Sequence, residues 1–107
     1  MKNVPSKKHS NLLQNADSVV IKLQADINYT VFFLDDGQKA LMAYSLKNYQ
    51  QYLNYPFVRV NKSCIINLMY LKNIDPKNKK IQLKDGSEIQ ISRRRMEEVL
   101  KNVSVCS

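Results

Sequence analysis

A mainly β fold, a compact antiparallel sheet domain with two short helices, follows from three features of the 107-residue chain. Apolar residues alternate with polar ones in short runs, Asp-Gly pairs stand between such runs at Asp36-Gly37 and Asp85-Gly86, and only two stretches carry apolar residues at helical spacing. Asp and Gly tolerate the positive φ of a tight hairpin, so each pair predicts two antiparallel neighbours. A chain of this length fits one core.

Residues Met1 to Asp17 are polar, hold Pro5, and show no period, which predicts a flexible arm over 1–17, in which Lys2, Lys7 and Lys8 could touch phosphate. The domain then spans 18–103, followed by a tail over 104–107. From Ser18, Val19, Ile21 and Leu23 alternate with Val20, Lys22 and Gln24, the pattern of a half-buried strand. Thr30 to Leu34 and Lys39 to Ala43 flank the first Asp-Gly turn. Leu46, Tyr49 and Leu53 then fall at helical spacing behind Ser45, a good N-cap, predicting a helix over Leu46 to Asn54. Leu71 to Asp75 and Lys79 to Lys84 read as strands joined by a turn at Pro76, Lys77 and Asn78. Glu88 to Ile91 follows the second Asp-Gly pair. Met96, Val99, Leu100 and Val103 give a second amphipathic helix, with Ser92 as its N-cap.

Charge narrows the partner. The chain carries 17 Lys and Arg against 9 Asp and Glu, a net charge of +8. The first 56 residues hold six lysines and four aspartates, so most of the excess lies from Phe57 onward. Such asymmetry favours nucleic acid or an anionic membrane surface. No apolar run approaches the length of a spanning helix and no secretory segment opens the chain, so a cytoplasmic protein is expected. Cys64 and Cys106 do not make a disulfide framework, and Cys64, between apolar neighbours, reads as a free buried thiol.

Two basic stretches stand out. Phe57 to Asn67, FVRVNKSCIIN, sets Arg59, Lys62 and Ser63 among the apolar anchors Phe57, Val58, Val60, Ile65 and Ile66. Ser92, Arg93, Arg94 and Arg95 lie just before the last helical pattern, where cations oppose the positive helix end by a few tenths of a kcal/mol each. A phosphate at that N-terminus would compensate through free backbone N–H groups.

The order of these features resembles the LytTR domain, the DNA-binding domain of LytR/AlgR-type bacterial transcriptional regulators. The likeness covers roughly Ser18 to Lys101. It rests on Asn28-Tyr29-Thr30, Asp36-Gly37, Ser45-Leu46, the run Phe57, Arg59, Val60, Lys62, Ser63, Ile65 and Asn67, the turn at Asp85-Gly86, and Ile91-Ser92-Arg93-Arg94. The resemblance implies a response-regulator output domain whose loops, rather than a recognition helix, enter successive major grooves of double-stranded DNA. Carried over by position, the loops are Asn28 with Tyr29; Arg59 with Asn61, Lys62 and Ser63; and Ser92 with Arg93, Arg94 and Arg95. It also implies direct-repeat sites, a possible homodimer on DNA, and an upstream kinase or other regulatory protein. Asn61 stands where many members have His, which removes pH sensitivity but keeps a donor and an acceptor. Many members carry a receiver or membrane domain ahead of this one; here the stretch ahead of it is expected to be the short arm over 1–17.

Side-chain chemistry assigns roles within that set. Arg94 suits bidentate reading of guanine, Arg59 and Lys62 divide between base and phosphate, and Asn67 satisfies backbone groups. Asn28 either reads adenine or serves as a turn residue bonding nearby backbone. Tyr29 either meets DNA or packs at the strand start. An enzyme is not expected: the single histidine, His9, lies in the arm, and no phosphate loop, metal-spaced Cys/His set or cofactor motif is present. Two rival readings are a β-barrel for single-stranded nucleic acid, which would need aromatics on one sheet face, and a protein-interaction module.

Overall fold

The computed structural model describes residues 16–106. Residues 1–15, with Lys2, Lys7, Lys8 and His9, lie outside it. The last two residues of the stretch read as an arm open a helical turn, α1 (Ala16–Val19), with Ala16 buried. Eight strands follow: β1 (Val20–Asp26), β2 (Tyr29–Leu34), β3 (Lys39–Met42), β4 (Phe57–Asn61), β5 (Cys64–Asn67), β6 (Leu71–Asp75), β7 (Lys80–Leu83) and β8 (Glu88–Gln90). Helix α2 (Leu46–Tyr52) separates β3 from β4, a 3₁₀ turn (Leu68–Tyr70) follows β5, and a second (Arg93–Arg95) leads into α3 (Met96–Cys106). The two helices expected from periodicity are α2 and α3. The second runs on through most of the stretch read as a tail.

The strands form an antiparallel five-stranded sheet in the order β3-β2-β1-β5-β4 and a three-stranded sheet β6-β7-β8. Both Asp-Gly pairs turn as predicted, with φ of +88° at Gly37 and +91° at Gly86. Each aspartate also accepts a backbone N–H two residues on, from Gln38 and Ser87.

A core lies on each face of the larger sheet. On one, α2 delivers Leu46 and Tyr49 onto Val20, Leu23, Phe32, Phe57 and Ile65. Ser45 Oγ accepts the Asn48 N–H, which starts that helix as its N-cap. Tyr49 meets Phe32 edge to face at 4.9 Å and Tyr44 at 5.8 Å, so these rings are packed together rather than spread as a stacking platform. On the other face, Ile81, Leu83, Ile89, Ile91 and Val99 close over Ile21, Val58, Val60 and Ile66.

This two-sided cover corrects one expectation. The alternation at the start of β1 predicts a half-buried strand, yet Val20 to Leu23 are all buried, with a bulge between Val20 and Lys22. A central strand between two layers has no solvent face there. Lys22 lays its ammonium over the Phe33 ring, 4.6 Å from its centre.

Candidate nucleic-acid interface

The stretch Phe57 to Asn67 folds as the hairpin β4-β5, reversing at Lys62 and Ser63 without a glycine. Asn61 makes that turn: its Oδ1 accepts the Ser63 N–H at 2.7 Å, closing an Asx turn, and its Nδ2 donates to the Gln90 carbonyl at 2.7 Å. Arg59 reinforces it from the strand. Its Nε donates to the Asn61 carbonyl at 3.2 Å, one terminal nitrogen to Gln50 Oε1 at 2.7 Å, and the other to the Lys62 carbonyl at 2.6 Å. Three of the five guanidinium donors therefore point into the protein, leaving one N–H on each terminal nitrogen. Burial, and then the charge of Arg95, pulls the Arg59 pKa below its ordinary value.

Three backbone and side-chain links bring the predicted loops to one edge. Ala25 N–H donates to the Ser63 carbonyl at 2.8 Å, so the β1-β2 hairpin runs beside the β4-β5 turn and its tip, Ile27 with Asn28, projects past it. Ser92 N–H donates to the Val60 carbonyl at 2.8 Å, setting Arg93 to Arg95 against β4. Asn61 joins β4 to β8. Asn28, Tyr29, Lys62, Arg93 and Arg94 are exposed, while Asn61, Ser63 and Arg95 are partly covered. No hydrogen bond or ion pair among the described residues engages the side chains of Lys62, Arg93, Arg94 or Arg95, and the first three are open to solvent.

Ser92 occupies the predicted N-cap position but does not cap. Its buried Oγ has no hydrogen-bond partner among the described residues, and the chain enters α3 through the 3₁₀ turn of the three arginines. Asn67, by contrast, behaves as its sequence context indicated. Fully buried, it donates to the Val20 carbonyl at 2.7 Å and accepts the Met69 N–H at 2.9 Å. Cys64 is a free thiol whose pKa burial pushes up to about 12 against the opposing pull of Lys22, so it is protonated and unreactive at neutral pH.

Three residues of this edge carry no obvious mark in the sequence. Gln50 and Gln90 act only through the turn they brace, which becomes visible once α2 and β8 are seen beside β4. Ile27 could have been noticed, since an apolar β-branched residue between Asp26 and Asn28 is out of character for a turn. It is 93% exposed and has φ +56°. That conformation costs a side-chain-bearing residue roughly 1–2 kcal/mol. Ile27→Asn, which tolerates positive φ, is therefore expected to raise the unfolding free energy by about 1 kcal/mol in urea titration. An unchanged midpoint would contradict the strain.

Among the described residues, no group of three His, Cys, Asp or Glu gathers as a metal site, and no helix is long and apolar enough to cross a membrane. The family model for the LytTr DNA-binding domain matches residues 11–104. A solved structure described as the LytTr DNA-binding domain of a DNA response regulator from Bacillus cereus matches with a TM-score of 0.72 at 22% identity, over 81% of this chain and 83% of that one. At that identity the likeness is one of fold. No curated protein matches.

Proposed function

The chain belongs to the family of LytTr DNA-binding domains, and on that premise we propose that it reads duplex DNA sequence-specifically as the output domain of a transcriptional response regulator. The tip at Asn28 and Tyr29, the turn at Lys62 and Ser63, and the arginines 93–95 enter successive major grooves. What supports this reading is that three loops are linked along one edge, two of them carrying cations, Lys62 on one and Arg93 to Arg95 on the other. Direct-repeat sites, pairing of two copies on DNA, and control by an upstream kinase belong to the same proposal. The packed Phe32, Tyr44 and Tyr49 rings weigh against a single-strand stacking surface.

Roles follow from the free donors. Arg94 has its whole fork available for guanine O6 and N7, and Lys62 offers a point charge to phosphate. Arg59 is chiefly a positioning residue, with Asn61 as its partner, and its remaining donors can reach a phosphate. The uncapped N–H groups at the start of the arginine turn provide a further phosphate seat.

Selection of bound duplexes from a random pool, followed by titration of the enriched site at two salt concentrations, tests the proposal. An enriched short motif is expected, with affinity falling steeply as salt rises because bound phosphates release counterions. On that site Arg94→Ala is expected to relax preference at one base pair at a cost of about 1–2 kcal/mol. Lys62→Ala should weaken matched and mismatched sites alike and lower the salt slope by about one. Equal behaviour of the two variants on both sites would refute this division of roles. Tight, salt-sensitive binding to any polyanion without enrichment would overturn sequence-specific reading.

A further inference from the structure

We infer that Ile27 is a specificity-determining residue, whose side chain contacts the 5-methyl group of a thymine in the groove where Asn28 reads its base. The inference rests on the duplex-reading function proposed above and deepens it.

Folding does not account for Ile27. At 93% exposure its side chain buries almost nothing, and at φ +56° its backbone sits where a β-branched residue is disfavoured. Glycine or asparagine would relieve both faults. Other exposed apolar residues do not combine these features: Leu41 lies on β3 paired with Val31, Tyr52 ends α2, and Val105 lies in the last turn of α3. Lys79 shares the positive φ, but it follows the turn after Pro76 and is polar.

Position supplies the target. The Ala25 to Ser63 hydrogen bond links the β1-β2 hairpin to its neighbour just before the tip, so Ile27 and Asn28 are the residues carried furthest from the sheet. In the major groove the only apolar feature of a base edge is the thymine methyl, and adenine is the base that an Asn amide pairs with in bidentate fashion. A tip bearing Ile beside Asn therefore matches an adenine and a thymine, either its own pairing partner or a neighbour.

The test uses the full chain and the duplex enriched by selection. Each thymine is replaced in turn by deoxyuridine, which lacks only the methyl group, and Kd is measured by fluorescence anisotropy for the native protein and for Ile27→Ala. At one thymine, deoxyuridine is expected to weaken the native protein about fourfold, the worth of one buried methyl-sized group. The same replacement should leave Ile27→Ala unchanged, because its partner is already gone. The exposed position makes folding of the variant straightforward to verify by thermal melting. If deoxyuridine affects both proteins equally, or affects neither at any thymine, the Ile27 contact is overturned while duplex reading stands. If no duplex is enriched at all, both fall.

Discussion

Asn67→Ala is expected to lower the unfolding free energy by about 3–5 kcal/mol, measured as the shift of the urea midpoint at unchanged slope. The side chain is completely buried, and its amide serves two main-chain groups, the Val20 carbonyl inside the core and the partly buried Met69 N–H. Each buried group left unpaired costs about 1–3 kcal/mol, and truncation adds a small void. The location magnifies the effect. Asn67 ends β5, Val20 begins β1, and Met69 lies in the 3₁₀ turn that leads to the second sheet. A loss below about 1 kcal/mol would show that the surrounding backbone finds other partners.

Arg59→Ala is expected to show in two readouts: about 2 kcal/mol of folding stability, and about thirtyfold in affinity for duplex DNA, spread evenly over matched and mismatched sites. Its planar fork holds the Asn61 and Lys62 carbonyls and Gln50 together, a geometry no other side chain reproduces. Arg59→Lys should therefore recover less than half of the lost affinity although the charge is kept. A base-reading Arg59 would behave differently, with preference lost at one base pair and little change in stability. Anisotropy titrations on matched and singly mismatched duplexes, run beside urea denaturation, separate the two cases.

Much of this architecture was legible beforehand because local chemistry announces itself. Asp36-Gly37 and Asp85-Gly86 demand hairpins wherever they occur between β-rich runs, and Ser45 starts α2 by its own hydroxyl. The buried Asn67 was readable as a backbone partner, since an amide after an apolar strand has few other uses. What escaped depends on contacts distant in sequence. Lys22 looked like the outward side of an alternating strand, but the second layer covers β1 on that side. Ser92 has an N-cap's position and type, yet the 3₁₀ entry leaves its hydroxyl without the expected bond. Arg59 showed its charge in the sequence and hid its carbonyl partners, which exist only once the β4-β5 turn closes. The basic loops could be picked out by type, while their meeting along one edge required the Ser92 to Val60 bond, and the arrival of the Asn28 tip beside them required the register between β1 and β5.

The links among those loops have a thermodynamic corollary. A loop that is disordered when free must lose its conformational freedom at the moment of association, and that loss subtracts from affinity. Here the Asn61 Asx turn, the Arg59 fork and the two backbone bonds from Ala25 and Ser92 remove that freedom during folding. Association then has mainly the long exposed side chains left to order. If this edge reads duplex DNA as proposed, it does so as a preorganised template, with discrimination set by how well the duplex fits it.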